Sequence, residues 1–561
     1  MSVFKFHFCL IVILGFGACN QKKPSSKIKD IDLLRGNITL CGDGGFGEVN
    51  FALDCNLDVR ETFNLAISLL HSFEYNEAEK AFVQVIDADP NCAMAYWGVA
   101  MSNFHALWLQ SGTDYLVKGS KILKASSSLE KSEKAKDYIN AISSFYDDWE
   151  NVSHKERVEL FENKMRQVYL KYGDDREAAI FYALALRAAS DPSDKTYSNQ
   201  KESGKILESI YQDQPNHPGI AHYIIHNYDY PELAELALPT ARRYAEIAPA
   251  SAHAQHMPSH IFTRLGLWKE SINSNLNSTA AALCYAKSID INGHWDEELH
   301  GMDYLVYAYL QKGDNRMAQE QYDYLKTFND VFPANFKVAY AAAAIPSRIA
   351  LENKNWESAS KLELPSLAIE WSDFPWQRSL LHFARAMGAV RSGKLKQTES
   401  ELNVLELNLK ELVYINDSYK ANQVQIQINI IRAWLQFSNG GEKEALSMMK
   451  QTTEMEYNTN KHPVTPGEIL PAGEIYGDLL LEANQPLKAL KAYESDLKRH
   501  PGRLNGIFGA AVAAKSIGDE ETANRYFNQL ISQCADSHSE RNELLLAKDY
   551  LGRPEVTKTI E

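Results

Sequence analysis

Along this 561-residue chain a three-part pattern recurs: a small residue, an aromatic four places later, and a proline eight places after that. In YNEAEKAFVQVIDADP the three are Ala78, Phe82 and Pro90; in QPLKALKAYESDLKRHP they are Ala489, Tyr493 and Pro501. Ala523 and Phe527 follow Ala489 and Tyr493 at a spacing of 34, and Pro215 and Pro249 stand the same interval apart. Each part has a physical role. The small residue lets two helices cross closely, the aromatic wedges between them, and the proline ends the second helix. Such units cannot bury their apolar faces alone, so they stack into an elongated array. Glycine (29) and proline (19) are sparse for this length, which fits helices better than a sandwich or barrel.

The spacing resembles the tetratricopeptide repeat. It predicts an all-α solenoid of helical hairpins, wound as a right-handed superhelix, behind a short irregular N-terminal cap. First-helix starts are expected near 59, 93, 218, 252, 299, 340, 379, 426, 470 and 504, with helical pattern of less clear register between 110 and 205. Lys287–Trp295 reads as an insertion, because the next repeat comes late. The resulting division is a signal segment over 1–18, tether and cap over 19–58, solenoid over 59–535 and a helical tail over 536–561. Gly42, Gly44 and Gly47 fit G-x-G-x-x-G by spacing. No strand precedes them, so a Gly-rich turn is expected and not a nucleotide fingerprint.

The first nineteen residues carry Lys5, an apolar run from Phe8 to Phe16, and then Gly17-Ala18-Cys19. That run is too short to span a bilayer and has the layout of an export signal. Its end resembles the bacterial lipobox, which implies lipidation of Cys19. The expected location is the cell envelope, as an outer-membrane lipoprotein facing the periplasm and touching the bilayer only through Cys19. Cys41 and Cys55 flank the Gly-rich turn and are expected to pair as a local disulfide, whereas Cys92, Cys284 and Cys534 sit in helical patterns as buried thiols. A net charge of -15 without a basic run speaks against nucleic acid as a partner.

Seven of the sixteen histidines lie between His222 and His300. In the repeat frame His222 and His226, then His253, His256 and His260, then His300 fall on one stripe of three successive first helices. In tetratricopeptide arrays that stripe lines the concave groove. Histidines at i and i+4 project from one helix face and form a two-point clamp for a metal ion. His222, His226, His256, His260 and His300 are therefore the candidate ligands. Imidazole donors suit zinc, iron, copper or nickel better than calcium. Asp229, Asp303 and Glu474 are candidates for orienting imidazoles or acting as base, and His253, Arg264, His71 and His105 for lining the groove. His222-Tyr223-Ile224-Ile225-His226 lacks the Glu of a zincin motif, and Ser259 occupies a helix-packing position, so neither marks a hydrolase of known pattern. Glu474 and Asp478 read as a solvated acidic face or a patch opposite the histidines.

The stretches LLHSFEYNEAEKAF, DPNCAMAYWGVAM, AHYIIHNYD, HAQHMPSHIFTRLG, HGMDYLVYAYL and PGEILPAGEIYGDLL resemble a bacterial family of exported tetratricopeptide lipoproteins. The resemblance implies the fold and names no chemistry. Two functions follow from the residues. One is a lipid-anchored module whose groove binds a peptide, protein or small ligand. The other is a metal-dependent, hydrolase-like enzyme built on the histidine cluster. Cys19→Ser is expected to leave the fold intact and release the chain from membranes; sedimentation of the mutant with membranes at high salt would contradict a lipid tether.

Overall fold

The computed structural model describes residues 28–552 except 40, 42–44, 108–111 and 461. The signal segment, Cys19, Gly42, Gly44, Lys461 and the last nine residues of the tail lie outside the described residues. From Arg60 to Tyr550 helix follows helix, and sequence neighbours joined by short turns pack as hairpins. The architecture is a tetratricopeptide-type solenoid. Among the described residues the only strands are His294–Trp295, at the end of the expected insertion, and Val331–Phe332, which pairs with it in parallel some 36 residues later. No helix among the described residues is long and apolar enough to cross a membrane.

The small–aromatic rule is visible in the packing. Phe82 leaves no room for a side chain on Gly98: a Cβ there would lie 2.3 Å from its ring. Tyr493 is held between two helices in the same way, with a Cβ on Gly477 meeting it at 2.6 Å and one on Gly509 at 2.3 Å. Ala78, Ala489 and Ala523 are fully buried at the crossings. First helices begin at Arg60, Ala93, Pro218, Ala252 and Leu504, close to the repeat count. In the middle the count drifts, to Asp296, Phe336, Pro375 and Ser418, because helices such as Ser418–Ser438 run longer than a repeat helix. The segment of unclear register is five further helices, from Thr113–Ser126 to Ser198–Tyr211.

The cap is irregular, and its apolar anchor is Phe51, packed on Phe63, Trp97 and Tyr138. Its cysteines correct the sequence-based expectation. Cys41 is bonded to Cys284 and Cys55 to Cys92, so neither pairs locally, and Cys92 and Cys284 are not thiols. The cap runs along the solenoid instead of folding on itself, which brings each cysteine to a different helix. Cys534 is a buried free thiol, as expected.

The inner face is not an open groove. Residues far apart in sequence meet across it: Tyr285 Oη donates to Glu77 Oε1 (2.8 Å), Ser251 Oγ to Glu74 Oε1 (2.6 Å) and Trp268 Nε1 to the Gly502 carbonyl (2.8 Å). Residues 462–471 enter this space. Tyr304 Oη lies 3.1 Å from the Val464 carbonyl, Tyr340 Oη donates to Gly467 O (3.2 Å), and Arg348 donates to Gly467 O (2.9 Å) and Glu468 O (2.7 Å). The stripe of histidines therefore lies inside the molecule.

Gly509→Val forces a branched side chain into the Tyr493 ring and is expected to cost about 1–3 kcal/mol. Hydrogen exchange should rise mainly in the C-terminal repeats, since solenoid stability is a nearest-neighbour property. A rise spread evenly from Arg60 onward would contradict this.

Candidate metal centre

Four helices present the histidines; the i, i+4 spacing puts His222 and His226 on one helix face and relates His256 to His260 across a break. Pro218–Tyr228 carries His222 and His226. The next first helix is broken: Ala252–His256 stops at Met257, and Pro258 begins Pro258–Leu265. Proline at 258 has no N–H and cannot continue an unbroken ladder, so the chain bends there. His253 and His256 sit before the bend and His260 after it. Asp296–Gln311 carries His300 and Tyr304.

The rings form two sets. Nε2 of His222 is 3.1 Å from Nε2 of both His226 and His253. Nε2 of His256 is 3.0 Å from Nε2 of His260, and the His300 ring centroid is 4.2 Å from that of His256. Within each set one nitrogen from every residue lies within 4.8 Å of the others. Two imidazole nitrogens on one ion at ~2.0–2.1 Å in tetrahedral geometry stand roughly 3.3 Å apart, close to these spacings.

The opposite ring nitrogens are tied down. His222 Nδ1 donates to the His71 carbonyl (2.6 Å). The Asn275 amide nitrogen donates to Ser271 O (2.8 Å), which turns its oxygen toward His256 Nδ1 at 2.6 Å. His260 Nδ1 donates to Asp229 Oδ2 (2.9 Å), and Arg264 Nε holds the other carboxylate oxygen (3.1 Å). With the proton on Nδ1, each of these rings presents its Nε2 lone pair to its partners. Burial pushes His222 down to about 3 and holds His226, His253 and His300 well below the usual range, so these rings are neutral at physiological pH.

The first set is pressed by Phe73, whose ring centroid is 4.3 Å from that of His222 and 5.5 Å from that of His253. Phe73 has φ 60°, a conformation that costs a bulky residue free energy and persists only where packing enforces it. A small void of ≈ 10 Å³ lies between the sets, walled by Leu107, Met257, Pro463 and Val464 together with four of the imidazoles. Met257 thus borders the void while packed in the hydrophobic core of the helix stack. Leu107, Pro463 and Val464 also line a larger cavity of ≈ 500 Å³, whose other walls include Phe73, Tyr75, Tyr285, Trp295 and Phe336.

Other expected site residues lie elsewhere. Asp303 is a salt-bridge partner of Arg348 (3.3 Å), with burial raising its carboxyl to about 6 against the pull of that arginine. It secures the side chain that holds residues 467–468 and does not face the imidazoles. Glu474 is clamped by Arg503 (2.8 Å), and Asp478 receives Tyr493 Oη (2.7 Å) and Lys354 Nζ, so neither is a solvated face or a base at the histidines. Arg264 supports Asp229 and lines no groove. His71 Nε2 meets Glu177 (3.0 Å), which also takes His217 Nε2 (2.8 Å), while His71 Nδ1 meets Tyr223 Oη (2.9 Å). This buried network fixes the carbonyl that orients His222. His105 caps its helix at φ 50°, contacts Tyr75 and Tyr115, and borders the larger cavity. Ser259 is fully buried against Asn275, in line with a packing role. Tyr304, whose Oη is 3.2 Å from His260 Nε2, and Asn275 were not among the expected residues. Tyr304 was legible as the i+4 companion of His300; Asn275 carries no local signal.

No protein-family model matches the chain, and no curated protein matches it. Among solved structures, human IFIT1, as a dimer with m7Gppp-AAAA, is 11% identical; 86% of this chain and 97% of that chain are covered, with a TM-score of 0.38. The Cut9–Hcn1 hetero-tetramer of the APC/C is 10% identical over 88% of this chain and 89% of that chain, with a TM-score of 0.31. Likeness at these scores carries no argument about a site or a ligand.

His256→Ala leaves a hole and leaves the Asn275 oxygen with only the long Ser259 hydroxyl contact (3.4 Å). It is expected to cost about 1–3 kcal/mol in the metal-free protein, read from the urea midpoint. An unchanged midpoint would mean that the histidine stripe faces solvent.

Proposed function

We propose that this chain is an exported metalloprotein with enzymatic chemistry, holding two transition-metal ions in His222–His226–His253 and His256–His260–His300 and acting on a small ligand in the adjoining cavity. One observation carries the reading. His256 and His260 both commit Nδ1 as donor, yet their Nε2 lone pairs converge at 3.0 Å in a buried site. Two lone pairs at that distance repel unless a cation lies between them. A proton could serve only by making a buried imidazolium, and the charge of Asp229 is already met by Arg264. A metal ion satisfies all three rings at once, and the Asn275 and Asp229 contacts are the outer-shell bonds that ligating histidines use.

The cavity supports turnover better than peptide binding in a groove. It is concave, sets aromatic rings beside the ionisable groups of Glu74, Glu77, Asp296, Glu297 and Lys337, and shares three wall residues with the void between the histidine sets. Export is supported by the two disulfides, which form and persist in an oxidising compartment. That accords with a lipid tether at Cys19 and an envelope location.

The protein purified without added metal and analysed by emission spectrometry is expected to hold two transition-metal ions per chain. His222→Ala/His226→Ala and His256→Ala/His260→Ala should each lose one, and Asp229→Asn should weaken the second ion by about 10–100-fold. Wild-type protein that remains metal-free after equilibration with zinc and copper would overturn the reading.

A further inference from the structure

We propose that the two histidine sets form a dicopper centre that takes dioxygen between its ions as a bridging peroxide. This rests on the two-metal reading above and deepens it by naming the ion and the small molecule.

The donor set points to copper. Each set offers three imidazoles and no carboxylate. The carboxylates that could have joined them are spoken for: Asp229 by His260 and Arg264, Asp303 by Arg348, Glu474 by Arg503. Six neutral ligands return no negative charge, so two divalent ions would bring four uncompensated positive charges into a buried site. Burying charge without compensation is costly. Monovalent copper halves that charge, and imidazole is among the ligands that suit copper. The same absence argues against a hydrolytic pair, which needs an anionic group at the metals and a base to take a proton from water.

The place for dioxygen is also on the page. His253 and His256 are three residues apart on one helix, where Cβ atoms stand about 5–6 Å from each other, and they belong to different sets. The void between the sets has room for about one water-sized molecule, and its walls other than imidazole are Leu107, Met257, Pro463 and Val464. Apolar walls favour an uncharged diatomic over water or an anion.

Electrons and charge balance. Each Cu(I) gives one electron and becomes Cu(II); dioxygen takes both and becomes peroxide, with one oxygen–copper contact formed at each ion and the oxygen–oxygen bond kept. Two positive charges are present before and after, so the protein is not asked to neutralise more charge as dioxygen binds. The Tyr304 hydroxyl donates to the Val464 carbonyl (3.1 Å) and lies 3.2 Å from His260 Nε2, so it pins the wall of the void beside the second set.

The test uses the full chain, stripped with a chelator, loaded with Cu(I) in the absence of air and then exposed to dioxygen. Expected are two coppers per chain, uptake of one dioxygen per pair, a new near-ultraviolet charge-transfer band, and no Cu(II) paramagnetic resonance signal because the bridged spins cancel. His253→Ala and His300→Ala, one from each set, should each keep a single copper, show its resonance signal and lose the band. Two retained coppers with a full resonance signal and no band would overturn the dioxygen proposal while leaving the two-metal site standing. Copper lost on desalting, with zinc retained at two per chain, would overturn the assignment of the ion. Failure to retain either metal would remove the two-metal reading as well.

Discussion

The hydrogen bonds behind the histidines decide what the interior of this solenoid can be. Asn275 and Asp229 each accept a hydrogen bond from an Nδ1, and the His71 carbonyl does the same for His222. Those acceptors are themselves fixed, by Ser271, by Arg264 and by the helix ending at His71. The rings are therefore oriented from outside, and their Nε2 atoms have nowhere to point but at one another. Everything nearer the middle follows from that, including the void, its apolar walls and the pressure of Phe73.

Enclosure is the second requirement. A curved array of hairpins leaves its inner face to water unless something fills it, and water would compete for any ion held by the histidines. Here residues 462–471 fill that space, held by Arg348 and Tyr340 through carbonyls of Gly467 and Glu468. Arg348 depends in turn on Asp303, so a carboxylate expected at the metals acts one layer out. Arg503 bridges Glu474 and Glu352 in the same manner, tying late repeats to the middle of the chain.

Much of this was legible in the sequence, and the reasons for success and failure are physical. Period and punctuation exposed the solenoid because each repeat must bury the same small–aromatic crossing, as Tyr493 does against Gly477 and Gly509. The same frame placed six histidines on one stripe. It could not divide them into two sets, because that depends on the bend at Pro258. It could not see that the stripe is covered, because the covering loop is some 160 residues away from Tyr304. The disulfides failed for a related reason: pairing Cys41 with Cys284 depends on how the array winds back to its own cap, which local spacing does not encode.

The central claim is that two buried three-histidine sets in a helical-repeat protein each hold one metal ion. An anomalous difference map from crystals of the metal-loaded full chain tests it most directly. Two peaks are expected, one within about 2.0–2.2 Å of Nε2 of His222, His226 and His253, the other at the same distance from His256, His260 and His300. A map with both sets empty, or with the metal bound only at surface carboxylates, would contradict it.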